Sequence, residues 1–205
     1  MKKLTINNRR YLGSKYKLLD FIDETIKNNC GEYNSVFDVF GGTGVVSNYF
    51  SEKGKKIYIN DILKSNYCIY RAFLGNEKFS ENKISDLEEN YFSKNYKNTY
   101  FSENDCKKIG YIRENINKKF ENKEINEREK YILIASLLYS MDKIANTVGH
   151  YDAYRKKQKL EDCFEMYNLD INKNQTIKNE IYNMDSNELA KKIKADIVYI
   201  DPPYN

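Results

Sequence analysis

Asp201-Pro202-Pro203-Tyr204-Asn205 contains both prolines of the chain and directly follows the apolar run ADIVYI. Two adjacent prolines fix φ and remove two N–H donors, so the turn presents its backbone carbonyls outward. A carboxylate, rigid carbonyl acceptors and an aromatic ring suit a flipped-out base that carries an amino group. Asp201 and the Pro202 carbonyl can accept the two amine protons, and Tyr204 can stack on the ring. The plain alternative is a loop after a strand that happens to read D-P-P-Y.

A second group is Asp38-Val39-Phe40-Gly41-Gly42-Thr43-Gly44, again after an apolar run. Glycines at a strand-to-helix turn let a ligand approach the backbone closely. The spacing is not G-x-G-x-x-G, which argues against a dinucleotide oxidoreductase. Any tight turn of this kind would also be glycine-rich, so a purely structural role stays open. Asn60-Asp61 closes another apolar run. An acid there can accept ribose hydroxyls or cap the next helix. Thr147 to Lys157 (TVGHYDAYRKK) interleaves aromatic and basic residues, which suits phosphates and unstacked bases. It suits equally a solvated loop with tyrosines packed beneath. His150, the single histidine of the chain, is not required as a general base for such chemistry.

These residues need a scaffold, and the apolar runs predict one. Ser35 to Phe40, Lys56 to Asn60 and Ala195 to Ile200 are rich in β-branched or aromatic residues and end at Asp, Gly or Pro, as buried strands do. Ile177 to Tyr182 is a fourth candidate. Near-continuous apolarity predicts strands covered on both faces of a parallel sheet. Lys15 to Asn28 carries Leu18, Leu19, Ile22 and Ile26 on one helical face. Thr43 to Lys53 predicts a helix stopped by Gly54, and Ser186 opens another. The fold class is therefore α/β, a doubly wound, Rossmann-like sheet. Residues 64–174, rich in Lys, Asn, Glu and Tyr, predict a mostly helical insertion whose clearest helix is Glu127 to Ala145.

Composition narrows the classes. The chain has 205 residues, 40% hydrophobic and 31% charged, with formal net charge +4. This is ordinary for a globular protein, and the mild basicity only slightly favours a polyanionic partner. Cys30, Cys68, Cys106 and Cys163 are scattered and form no C-x-x-C pair; neither a metal site nor a disulfide framework is suggested, and mostly buried, reduced thiols are expected. The N-terminus lacks the apolar stretch of a signal peptide. No run reaches the roughly 18 apolar residues of a membrane span, so no membrane partner is expected and a cytoplasmic location is.

Arg10-Tyr11-Leu12-Gly13-Ser14-Lys15-Tyr16-Lys17-Leu18-Leu19 supplies the remaining piece. It resembles the opening motif of the D12-class, Dam-like DNA adenine-N6 methyltransferases. That family places this segment first, then the F-x-G-x-G loop, the acidic strand end and finally D-P-P-Y, and all four occur here in that order. The resemblance covers roughly 1–70 and 177–205 well and the middle poorly. It implies a class I methyltransferase sheet, here its first four strands, and S-adenosylmethionine as cofactor. Residues 1–63 and 175–205 would form the cofactor-binding catalytic domain, and 64–174 the target-recognition region. Tyr11, Lys15, Asp38, Phe40, Gly42, Gly44, Asp61, Asp185 and Asp201 would contact the cofactor. Asp201, Pro202, Pro203 and Tyr204 would form the catalytic loop. Arg10, His150, Tyr151, Tyr154 and Arg155 would face double-stranded DNA. Tyr11 stands where some members carry tryptophan. Gly41 stands where members often carry alanine, a difference expected to be without consequence.

The family's sheet continues past this loop, whereas the sequence stops at Asn205. ADIVYI is thus expected to be an exposed edge, apolar on both faces. A fragment or the N-terminal part of a split enzyme is expected, with a second chain supplying the rest and little activity alone. Methylation of an RNA base amine, and a non-catalytic fragment or partner subunit, are the competing readings. Restriction–modification is the setting that the resemblance implies.

Overall fold

In the computed structural model, residues 3–9, 13–79, 90–147, 151, 153–156, 159–172 and 176–203 are described. The apolar runs form strands where expected, β2 over its whole run and the other three shorter than theirs. β1 (Ser35–Asp38), β2 (Lys56–Asn60), β3 (Glu180–Tyr182) and β4 (Ile197–Tyr199) make one parallel sheet in the order β3-β2-β1-β4. Alternation along β1 sends Val36 and Asp38 to one face and Phe37 and Val39 to the other. α2 (Val45–Glu52) covers the first face, where its Ser47 bonds Asp38. α7 (Ser186–Ala190) covers the second, with Leu189 packed on Phe37 and Val39. Helices on both faces and parallel strands give the expected Rossmann-like class.

The chain divides into two compact units, Gly13–Lys78 with Ile171–Asn205, and Met1–Leu12 with Phe79–Asp170. These boundaries differ from the expected 1–63, 64–174 and 175–205. α3 (Lys64–Leu74) belongs with the sheet: Cys68, Ile69, Tyr70, Ala72, Phe73 and Leu74 are all buried. At the other boundary, Leu4 and Ile6 are buried in the helical unit, where Leu4 pairs with Leu169 and Tyr139 donates to the Ile6 carbonyl at 2.9 Å.

Several boundaries move for local reasons. The expected helix from Lys15 begins as a 3-10 turn, Tyr16–Leu18, and becomes α1 only at Leu19–Cys30, so Leu18 is exposed. α2 starts after Gly44, whose φ of +78° is not helical, and stops before Gly54 at φ +75°. The predicted strand at Ile177 begins at Glu180 because the Asn179 side chain takes over the pairing, accepting from Ile57 N at 3.1 Å.

In the helical unit, α4 (Tyr91–Tyr96), α5 (Glu103–Glu121) and α6 (Glu127–Ile144) are each started by a polar cap. Asn90 and Asn126 form capping boxes with Ser93 and Glu129, and Ser102 accepts from Asp105 N. α6 matches the expected helix to within a residue.

Cys68 and Cys106 are buried, but Cys30 and Cys163 are exposed, so only half of the thiols follow expectation. Among the described residues no helix is long and apolar enough to cross a membrane, and no cluster of His, Cys, Asp or Glu is placed to hold a metal.

Candidate active site

β1 is the strand at which the order of strand addition switches sides: α2 leads to β2 on one side, and β4 joins on the other. Ligands of open α/β sheets bind outside the carboxyl ends of strands at such a switch. The candidate residues gather there. Val39 N donates to the Tyr199 carbonyl at 3.1 Å, which sets the end of β1 beside the end of β4. Asp201 follows β4 by two residues, and its carboxylate is paired with Lys15 Nζ at 2.7 Å. Lys15 Nζ also donates to the Gly13 carbonyl at 3.1 Å. Pro202 and Pro203 are exposed, as an outward-facing turn requires.

The glycine turn follows β1. Gly44 N closes it on the Gly41 carbonyl at 2.7 Å. Gly42 sits at φ +52° and Gly44 at φ +78°, left-handed conformations that cost little only for glycine. A Cβ on Gly42 would meet nothing closer than the Phe40 carbonyl at 3.9 Å. Gly41 is different. A Cβ there would stand 2.7 Å from Ile59 Cδ1 and 2.8 Å from the Tyr70 hydroxyl. Alanine at 41 is thus not the harmless exchange expected; its neighbours would have to move.

Asp61 follows β2, and its Oδ1 accepts from Leu63 N at 2.8 Å just before α3, whose N-cap, Leu63, makes no side-chain cap bond. Its Oδ2 accepts from Gly42 N at 3.0 Å and Asn66 Nδ2 at 2.8 Å, with the Tyr70 hydroxyl at 3.3 Å. Asn60, fully buried, ties three strand ends together: its amide donates to Met184 O and Ser186 Oγ and accepts from Met184 N. Asp185 caps α7, accepting from Asn187 N at 2.8 Å, and is exposed.

Asp38 is buried and accepts from Ser47 Oγ at 2.8 Å. Burial pushes its carboxyl up to about 7; the Ser47 bond works against this, while the charges of Asp201 and Asp61 add to it. Three carboxylates therefore sense one another at the ends of β1, β2 and β4, with Lys15 as counter-charge to one.

Tyr151, Tyr154 and Arg155 fall in the helical unit. Tyr100 packs against both tyrosines, at ring-centroid distances of 5.5 Å, and its hydroxyl donates to the Tyr151 carbonyl. Tyr151 donates to Asp142 at 3.0 Å, and Asp142 also faces Arg9. Both tyrosine rings remain over 40% exposed. They are neither packed beneath a loop nor fully solvated. Arg10, Tyr11, His150 and Tyr204 lie outside the described residues.

Sequence reasoning missed Asn66 and Tyr70. The available signal was their spacing of four, which places both on one face of a helix directly after Asp61.

A parallel sheet carrying a glycine turn after β1, an acid after the next strand and D-P-P after the strand on its other flank is the arrangement of a Rossmann-like sheet, whose ligands bind at the strand ends. The chain belongs to the D12 class N6 adenine-specific DNA methyltransferase family, whose model matches residues 11–205. It is 36% identical to Modification methylase StsI of Streptococcus sanguinis over 222 residues, covering 96% of this chain and 34% of that protein. It is 32% identical to Type II methyltransferase M.FokI of Planomicrobium okeanokoites, again over 34% of that protein. With Type II methyltransferase M.NlaIII of Neisseria lactamica the identity is 33%, over 95% of this chain and 64% of the relative. The chain thus spans about a third to two thirds of the length of these relatives.

Proposed function

We propose that this chain builds the S-adenosylmethionine site and catalytic loop of a DNA methyltransferase that modifies adenine N6 in a type II restriction–modification setting. The carrying observation is the meeting of Asp201 with Lys15 beside the Gly41–Gly44 turn, at the switch between β1 and β4. The site residues fit the cofactor. Gly42 leaves open backbone for close approach, and the carboxylates of Asp38, Asp61 and Asp201 suit a ligand with net positive charge. S-adenosylmethionine, when bound, supplies a methyl group already activated on a sulfonium.

The chain's own part is positioning and biasing the amine. Adenine N6 is conjugated with its ring and poorly nucleophilic. Asp201 and the Pro202 carbonyl, accepting its two protons, favour the pyramidal nitrogen that forms the new bond, and Asp201 is the acceptor for the proton N6 sheds. Lys15, paired with Asp201 at 2.7 Å, aims its carboxylate. Asp61 accepts from the ribose, Asp185 from the cofactor's adenine, and Tyr11, Phe40 and Tyr204 add aromatic faces. Tyr151, Tyr154 and Arg155, with Arg10 and His150, serve duplex DNA.

Val198 on β4 and Ile200 just after it, 52% and 64% exposed, support a need for further polypeptide along that edge for full turnover, supplied by a second chain or segment. The test is tritiated methyl transfer to duplex DNA and to RNA, with Asp201→Ala as control. Label in DNA as N6-methyladenine is expected, rising when a complementing segment is added. Label confined to RNA would overturn the substrate, and an active Asp201→Ala the mechanism.

A further inference from the structure

Asn66 and Tyr70 reach from one face of α3 to the glycine turn. The buried Tyr70 hydroxyl donates to the Gly42 carbonyl at 2.8 Å and stands 3.3 Å from Asp61 Oδ2. Asn66 Nδ2 donates to the same carboxylate oxygen at 2.8 Å, and Gly42 N at 3.0 Å. One oxygen of Asp61 thus collects two donors with the Tyr70 hydroxyl beside it, and Gly42 is held at both its N–H and its carbonyl. The hydroxyl fits because residue 41 has no side chain, a Cβ there lying 2.8 Å from it.

We propose that Tyr70 and Asn66 are positioning residues that set the glycine turn and Asp61 in their ligand-binding geometry before the cofactor arrives, and that Gly41 is glycine to admit the Tyr70 hydroxyl. The proposal rests on the cofactor reading above. Neither side chain touches the ligand in this scheme. Asn66 fixes the Asp61 rotamer, and Tyr70 fixes the Gly42 peptide, whose left-handed φ would otherwise be one of several glycine conformations. Preorganisation of this kind appears in affinity, because ordering is paid before binding.

The test is the dissociation constant for S-adenosylhomocysteine, by calorimetry on the full chain, for wild type, Tyr70→Phe, Gly41→Ala and the double variant. Tyr70→Phe is expected to weaken binding about tenfold, the scale of one lost buried hydrogen bond. Gly41→Ala is expected to do the same by expelling the hydroxyl. Gly41→Ala also meets Ile59, so the double variant should bind more weakly than Tyr70→Phe alone but lose less than the product of the two single losses, since the hydroxyl contact is common to both. Multiplying losses would overturn the link between residues 41 and 70. Should the double variant not fold, amide exchange at Gly42 decides: it should quicken in Tyr70→Phe, and unchanged protection would refute the role. Wild type that binds no S-adenosylhomocysteine overturns the cofactor reading together with this proposal; a wild type that binds and a Tyr70→Phe that binds equally well overturn the positioning role alone.

Discussion

Lys15 Nζ lies 2.7 Å from Asp201 Oδ2, joining the segment before α1 to the residue that follows the last strand. Both side chains are about four-fifths buried, so the pair stands between a screened surface bridge and a costly interior one. Asp201→Ala is expected to lower single-turnover methyl transfer by about a thousandfold, as removal of a preorganised polar group at a reacting centre does. The cofactor dissociation constant should change by less than about tenfold. Lys15→Met should cost about 1 kcal/mol in urea unfolding by removing this ion pair, and combined with Asp201→Ala it should cost less than the sum. Equal losses of binding and transfer in Asp201→Ala would remove Asp201 from the chemistry.

Asp38 gives the chain a pH dependence of known sign. Burial holds its carboxyl at about 7, against an ordinary value near 4. Between those values the folded chain keeps a proton that the unfolded chain has lost, so this group's contribution to stability falls as pH rises and levels above about 7. From about pH 5 to about pH 8 the loss is roughly 2 to 3 kcal/mol. Asp38→Asn cannot titrate, so the stability difference between the variant and wild type should grow by that amount over the same window. A cationic cofactor favours the ionised form, so its affinity should rise with pH up to about 7. Parallel pH profiles for the two proteins in urea titrations would show that Asp38 is ionised throughout.

Much of this site was legible in the chain because its parts are local. The D-P-P turn, the glycine turn and the closing acid each follow a strand whose β-branched content is visible without a structure. α3 was not legible. Its residues read only as the start of a mostly helical insertion, yet Asn66 and Tyr70 are among its most buried side chains. A composition rich in Asn and Tyr weakens the contrast between core and surface on which periodicity depends. The start of β3 was hidden likewise, because the Asn179 side chain imitates a strand bond to Ile57 N.

The edge of the sheet carries a prediction about association. β4 pairs only with β1 among the described strands, and Val198 and Ile200 are exposed along its other edge. Such an edge recruits other chains. Val198→Lys and Ile200→Lys should each reduce concentration-dependent association in sedimentation velocity while leaving the circular dichroism spectrum unchanged. Association that survives both changes would locate the sticky surface elsewhere.

Arg155 and Tyr154 should separate the two components of DNA binding. Arg155 is exposed beside a cavity of about 430 Å³ that Lys143 and Lys159 also line. Its backbone carbonyl is held by Asn146 Nδ2 at 3.0 Å, so the loop keeps its course when the side chain is removed. Arg155→Ala should then reduce the slope of log affinity against log salt by about 1, the release of one counterion. Tyr154 offers a ring rather than a charge. Tyr154→Ala should cost about 1 to 3 kcal/mol of affinity for duplex DNA with an unstacked base, at unchanged salt slope. Fluorescence anisotropy of a labelled duplex across a sodium chloride series reads both. If Arg155→Ala leaves the slope intact, its charge does not meet phosphate, and if Tyr154→Ala changes the slope but not the affinity, stacking is not what the ring supplies.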